Sequence, residues 1–112
     1  MITTTNPATG ETIAEYETLD ANGIDRKLEA ATRTYRDWRT ASLDERTRLL
    51  SALGDLYESN KEELAKLAVT EMGKPISQAR SEVEKCASLL HYYAEHGPPM
   101  LESKFWDLSD GG

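Results

Sequence analysis

The spacing of apolar residues constrains this chain most, because they recur every three or four positions from Ile24 to Tyr93. Side chains at that spacing share one face of an α-helix, so the pattern predicts amphipathic helices. A first helix is predicted from Asp20 to about Arg39, with the Asp20 carboxylate capping free backbone N–H groups. Its apolar face consists of Ile24, Leu28, Ala31, Tyr35 and Trp38.

A second helix is predicted to open at Ser42, because Glu45 follows three residues later in a capping-box pattern. The apolar pattern is interrupted at Ser59 and Asn60, so we expect a break or kink there. Asn60 followed by Glu63 would then cap the continuing helix. The apolar stripe on either side of the break comprises Leu49, Leu50, Leu53, Leu56, Tyr57, Leu64, Leu67 and Ala68.

The stretch Gly73-Lys74-Pro75 has two possible interpretations. A phosphate-binding P-loop needs a glycine five residues before Gly73 and a Ser or Thr directly after the lysine. The chain has Ala68 and Pro75 at these places, so the P-loop interpretation fails. Gly73 instead fits a left-handed helix end, and Pro75 fits the first turn of the next helix.

A last helix is predicted to follow this joint and to stop before Gly97-Pro98-Pro99. Its apolar face consists of Ile76, Ala79, Val83, Cys86, Leu90 and Tyr93.

Residues 1–18 are rich in Thr, Ile and Tyr, which favour strands. Turn-forming residues lie between them, from Asn6 to Gly10, so we predict two short strands joined by a turn. A lone hairpin is marginal in water and must pack on something. The predicted fold class is therefore mainly α: a short N-terminal β-hairpin followed by three or four amphipathic helices.

Composition excludes several classes of partner. The 112 residues carry a net charge of -7, which repels nucleic acid and disfavours docking on anionic lipid. No apolar run approaches the roughly 20 residues that span a bilayer, and the first residues lack the pattern of a secretory signal. Cys86 is the only cysteine, so no internal disulfide can form, and a cytoplasmic location is expected.

Few residues are candidates for chemistry. Cys86 falls on the apolar face of its helix, where packing in the core is a better interpretation than nucleophilic catalysis. His91 and His96 are five residues apart, so they do not form the i, i+4 pair typical of helical zinc sites. We expect them at solvent-facing or helix-end positions.

Acidic and aromatic pairs also have ordinary structural interpretations. Glu62-Glu63 and Glu82-Glu84 are expected to be solvated faces of amphipathic helices rather than acid/base pairs. Trp38, Tyr92 and Tyr93 are expected to pack rather than to form a ligand cage. A glycine-rich dinucleotide loop is missing from the sequence. The residues therefore predict no catalytic, cofactor-binding or metal-binding site in this chain.

Taken in order, several segments resemble the N-terminal quarter of the aldehyde dehydrogenase superfamily. The series begins at "NPATGE" (6–11), includes "EMGKP" (71–75) and ends at "YYAEH" (92–96), with Trp38 and Arg46 between them. These motifs are most similar to those of the succinate-semialdehyde branch. The resemblance implies the N-terminal portion of an α/β fold in which Gly-Lys-Pro joins two outer helices.

The resemblance also implies what this chain lacks. Family members oxidise aldehydes to carboxylates with NAD or NADP, using a cysteine nucleophile, a glutamate base and an oxyanion-binding asparagine. All three lie downstream of the similar region, as do the main cofactor contacts, and Cys86 does not align with the nucleophile. No cofactor is expected to bind this chain alone.

The resemblance implies three parts: a β-hairpin arm (1–18), a helical segment of the cofactor domain (19–97) and an atypical tail (98–112). The tail contains Phe105 and Trp106 with no partner element, as in a truncated gene, a frame-shifted product or a deliberate fragment. The leading hypothesis is a dehydrogenase fragment that is inactive alone. The alternatives are an independent helical interaction module and one part of a split enzyme, and self-association or a complementing chain would then cover the apolar faces.

Overall fold

The computed structural model describes residues 1–105, and it confirms a mainly helical chain with a short N-terminal hairpin. The elements are β1 (Ile2–Thr5), β2 (Thr12–Tyr16), α1 (Ala21–Trp38), α2 (Leu43–Ser59), α3 (Lys61–Met72) and α4 (Ile76–Met100). None of these helices is both long enough and apolar enough to cross a membrane.

The hairpin forms because Asn6 and Gly10 organise its turn. The Asn6 side-chain oxygen accepts a hydrogen bond from the Ala8 amide at 2.9 Å, and Gly10 adopts a positive φ of 76°. Strands β1 and β2 pair antiparallel with Ile2 opposite Tyr16, and the register shifts between Thr4 and Thr5. Most of the hairpin side chains are exposed.

The first two helices begin at the predicted caps. Asp20 accepts a hydrogen bond from the Gly23 amide at 2.6 Å, and Ser42 accepts one from the Glu45 amide at 3.1 Å. These bonds satisfy backbone donors that the first turn of a helix leaves free. Helix α1 ends at Trp38, with Arg39 as its C-cap, as predicted.

The predicted break at Asn60 is present, but its side chain does not have the predicted role. Helix α2 ends at Ser59 and α3 begins at Lys61, with no side-chain capping bond at the start of α3. The Asn60 amide group instead donates to the Leu56 carbonyl oxygen at 2.8 Å. The Asn60 side chain therefore bonds to a carbonyl group at the end of α2 and does not accept a hydrogen bond from the backbone amides at the start of α3.

Gly73 ends α3 in the left-handed conformation, with φ 66° and ψ 21°, as predicted. Its amide donates to the Val69 carbonyl oxygen at 2.9 Å. Pro75 lies immediately before α4, at its N-cap rather than in its first turn. The Pro75 carbonyl still accepts the first hydrogen bond of α4, from the Ala79 amide at 3.0 Å.

The predicted end of α4 was wrong, since the helix continues through Pro98 and Pro99 to Met100. Proline fixes φ near the helical value, but it removes an N–H donor and its ring crowds the carbonyl group four residues earlier, so each of the two prolines costs helix stability. The Leu101 amide closes that turn on the carbonyl oxygens of Gly97 and Pro98, at 3.2 and 3.0 Å. Pro98 also lines an apolar cavity against α2, and this packing favours continuation of the helix.

Helices α2 and α3 both pack on α4, and small residues form the contact. The buried apolar residues are Ala65, Ala79, Val83 and Ala87, and no large side chain in residues 1–105 is fully buried. Close approach of helix backbones therefore replaces the interlocking of large side chains in this part of the chain.

The overall shape is extended rather than closed around a core. The radius of gyration is 20.8 Å, whereas about 13 Å is typical of a compact chain of this length. Within the described range, α1 has no extensive packing partner. The predicted atypical tail is helical over its first three residues, and its part from Trp106 onward lies outside the described residues.

Candidate functional site

Gly54 on α2 faces His91 on α4. A Cβ atom built on Gly54 would lie 2.6 Å from His91 Nε2 and 2.8 Å from Cε1, distances that real side chains do not tolerate. Gly54 is fully enclosed, and the His91 side chain remains one-third exposed. Position 54 therefore provides the notch that receives the imidazole.

Two carboxylates of α2 flank the imidazole in this notch. His91 Nε2 lies 3.6 Å from Asp55 Oδ1 and 3.7 Å from Glu58 Oε1. Asp55 and Glu58 are three residues apart, so they stand on one face of α2. One potential ligand atom from each of the three residues lies within 4.8 Å of the others. We call Asp55, Glu58 and His91 the His91 cluster.

Sequence reasoning missed this cluster, because it looked for partners of His91 along α4 rather than on α2. His96, the other histidine, stacks edge-on against Tyr92 with ring centroids 4.5 Å apart. A signal for the cluster did exist: Gly54 interrupts the apolar stripe of α2 next to two acids at helical spacing. That signal became specific only once α4 was placed against α2.

Cys86 is half-buried rather than enclosed in a core. It precedes the buried Ala87 and follows the buried Val83 by three residues. Five residues separate Cys86 from His91, which puts them about 140° apart around the helix axis. His91 is therefore not oriented to activate the Cys86 thiol.

Glu62, Glu82 and Glu84 of the predicted acidic pairs each form an ion pair. Arg80 donates to Glu62 from Nε at 2.9 Å and from Nη2 at 2.8 Å. Lys61 donates to Glu84 at 2.9 Å, and Lys74 pairs with Glu82. All three pairs are solvent-accessible; two of them connect α3 to α4, and the Lys74–Glu82 pair connects the turn after Gly73 to α4.

Their electrostatics do not suit acid/base catalysis. Hydrogen bonds from Arg80 hold the pKa of Glu62 below its usual value, whereas a catalytic general acid needs a raised pKa. The hydrogen bond to Glu84 raises the pKa of Lys61, which is the opposite of what a catalytic amine needs. These groups stabilise helix packing as charged partners.

Arg46 organises the joint between α1 and α2. Its Nη2 donates to the carbonyl oxygens of Trp38 and Arg39 at 2.9 and 3.1 Å, and its Nε donates to that of Ala41 at 3.2 Å. The guanidinium also lies over the Trp38 ring, 5.5 Å from its centroid. Arg46 thus caps the C-terminus of α1, and Trp38 packs against it.

Large apolar side chains on α1 and α2 are exposed in residues 1–105. Leu28 and Tyr35 on α1 are 61% and 63% exposed, and Leu56 on α2 is 58% exposed. Exposed apolar side chains that share one face of a helix are candidates for contact with further protein. The α1 face consists of Ile24, Leu28, Tyr35 and Trp38, and the α2 face consists of Leu49, Leu53 and Leu56.

The described residues do not fit a dinucleotide cofactor. Such a cofactor lies across the carboxyl ends of parallel strands, with its pyrophosphate at a glycine-rich turn. The only sheet in residues 1–105 is the antiparallel pair β1–β2. The turn between these strands leads into a second strand, not into a helix N-terminus, so no part of a phosphate cradle is formed.

Comparison with known proteins identifies relatives over almost the whole chain. The profile of the "Aldehyde dehydrogenase family" matches residues 1–110. The succinate semialdehyde dehydrogenase [NAD(P)+] Sad of Escherichia coli is 43% identical over 99 residues, which cover 88% of this chain and 21% of that protein. The succinate-semialdehyde dehydrogenase [NADP(+)] of Deinococcus radiodurans is 39% identical over 108 residues, 96% of this chain and 23% of that protein.

A solved structure agrees. Succinic semialdehyde dehydrogenase from Streptococcus pyogenes, in complex with NADP+, superposes with a TM-score of 0.89 at 27% identity. The match covers 96% of this chain and 24% of that structure. This chain therefore spans between a fifth and a quarter of the length of these relatives.

Proposed function

The chain belongs to the aldehyde dehydrogenase family, and from this membership we propose that it is the N-terminal structural segment of an NAD(P)-dependent dehydrogenase that oxidises succinate semialdehyde. The observation that carries the proposal is the sequence identity of 43% and 39% to two succinate-semialdehyde dehydrogenases. A cytoplasmic location belongs to the same proposal, supported by the single cysteine.

We propose that this segment has a structural role in the dehydrogenase and contributes no catalytic residue. The Lys61–Glu84 and Arg80–Glu62 ion pairs join α3 to α4, and His91 is not oriented to activate the half-buried Cys86. The chemistry and the cofactor contacts then belong to other residues of the dehydrogenase. We accordingly propose that the chain is inactive alone.

The exposed α1 and α2 faces support this role. A large apolar side chain gains roughly 1.5–3 kcal/mol when it moves from water into a protein interior. Leu28, Tyr35 and Leu56 leave most of that gain unrealised in this segment. We propose that the body of the dehydrogenase covers them, contributed by further residues of the same protein or by a complementing chain.

A chimera tests the proposal directly. The 99 residues of the E. coli enzyme that match this chain are replaced by the corresponding residues here. If this segment is a structural equivalent, the chimera reduces NAD(P)+ in the presence of succinate semialdehyde. A chimera that melts cooperatively and is inactive would contradict the proposal.

The matched control is the same chimera carrying Cys86→Ser. Because Cys86 has no chemical role in the proposal, this substitution leaves the turnover number of the chimera unchanged. A chimera that loses its activity with Cys86→Ser while its thermal midpoint is unchanged would assign chemistry to this segment.

A further inference from the structure

The His91 cluster offers three protein ligands of the types that bind divalent transition metals. His91 provides an imidazole nitrogen, and Asp55 and Glu58 provide carboxylate oxygens from the facing helix. In a tetrahedral zinc site, ligand atoms lie about 3.4 Å apart, given metal–ligand distances near 2.1 Å. The separations of 3.6 and 3.7 Å from His91 Nε2 are close to that value, and all three ligand atoms lie within 4.8 Å of one another.

The helix geometry holds the metal-facing atoms in place. Asp55 and Glu58 share one face of α2, and Gly54 beside them admits the imidazole from α4. A side chain at position 54 would displace the imidazole from its present position beside the carboxylates, since its Cβ would lie 2.6 Å from Nε2. The notch thus sets the distance between the nitrogen and oxygen ligands.

The site is also open to solvent. The Asp55 and Glu58 side chains are 72% and 64% exposed, and the His91 side chain is 33% exposed. Water can therefore complete the coordination that three protein ligands begin. An imidazole in the ligand set favours zinc, nickel or cobalt over magnesium or calcium.

We propose that Asp55, Glu58 and His91 form a surface site for Zn²⁺ or a similar divalent transition metal, which cross-links α2 to α4. The two carboxylates offset the charge of the ion. The metal binds the folded arrangement of two helices, so it raises the thermal stability of their contact. This inference is independent of the aldehyde chemistry of the family.

The test is calorimetric titration of the complete 112-residue chain with Zn²⁺, in a Cys86→Ser background that removes the one thiol. The expected result is one equivalent of Zn²⁺ per chain and a thermal midpoint that rises with zinc. His91→Gln weakens zinc binding by about tenfold or more and abolishes the rise in midpoint. His96→Gln, the matched control on the same helix, changes neither.

A second pair of variants keeps the test valid if His91→Gln disturbs folding. Asp55→Asn combined with Glu58→Gln removes two exposed carboxylates without changing side-chain size, and it should weaken zinc binding as His91→Gln does. Asp25→Asn combined with Glu29→Gln makes the same change of charge on α1 and should have no effect. Equal zinc affinity in both double variants, or no saturable binding to the Cys86→Ser chain, would overturn the proposal.

Discussion

Gly54 and His91 determine how closely α2 and α4 approach, because the imidazole occupies the space that a side chain at position 54 would fill. This contact takes the place of a large buried side chain in the helix pair. Its consequences can be tested by measurements of stability alone.

Substitution of Gly54 should separate the helices. Gly54→Ala gains up to about 1 kcal/mol of helix propensity, but displacement of His91 costs about 1–3 kcal/mol of packing. We expect a net loss of stability in thermal melts followed by circular dichroism. In a His91→Ala background the clash is absent, so Gly54→Ala should be neutral or stabilising. The same loss in both backgrounds would show that His91 is not the obstacle.

The left-handed cap at Gly73 should resist β-branched residues. With φ at 66°, Gly73→Val should lose on the order of 1 kcal/mol or more in thermal melts, because such residues are poor at positive φ. A Cβ there would also press on Pro7 of the hairpin turn, 3.2 Å away. Gly73→Asn is the control, because asparagine tolerates this conformation, and it should lose less. Equal midpoints for Val and Asn would contradict the cap.

The local elements could be predicted from sequence because their determinants are local. Asp20, Ser42 and Gly73 act on backbone groups within four residues, so their patterns predicted helix ends correctly. The role of Asn60 was harder to predict, because its side chain can either accept from the first amides of α3 or donate to the last carbonyl groups of α2. Both sets of groups lie within a few residues, and the structure has the second arrangement. Pro98 and Pro99 misled the prediction because the final turn packs against α2, and this packing depends on the position of α2 rather than on the local sequence.

The contacts between helices could not be predicted in the same way. The crossing of α2 and α4 brings together Asp55, Glu58 and His91. The number of residues between positions 58 and 91 is not a recognisable motif, so the sequence does not reveal this contact. The pairing of Glu62 with Arg80 likewise depends on the turn at Gly73. Apolar spacing predicted which faces are apolar, but it did not show that α1 would remain without an extensive packing partner in residues 1–105.

The Arg80–Glu62 pair should make stability fall in acid. Because the pKa of Glu62 is lowered in the folded chain, its contribution is present above the unfolded pKa near 4.5 and is lost as pH falls through the lower folded value. Glu62→Gln should therefore lower the thermal midpoint at pH 6 and flatten its decline below pH 4.5. Glu63→Gln, its neighbour, is the control. Identical pH profiles for the two variants would contradict a specific role of the pair.

The uncovered faces of α1 and α2 should drive self-association of the isolated chain. The charge of -7 opposes this, but salt screens it beyond about 10 Å at 0.1 M. We therefore expect light scattering to show association that strengthens with salt. Leu28→Ser combined with Tyr35→Ser should reduce it. A monodisperse monomer at every salt concentration, with sharp near-ultraviolet dichroism from Trp38 and Trp106, would indicate an independent module instead.

The most direct test of the structural role is an assay of the purified chain for aldehyde oxidation. The chain is mixed with succinate semialdehyde and with NAD+ or NADP+, and the absorbance of the reduced nicotinamide is followed. We predict no increase above the buffer rate, for the parent chain and for Cys86→Ser alike. Turnover that scales with the concentration of the parent chain and disappears in Cys86→Ser would contradict the account.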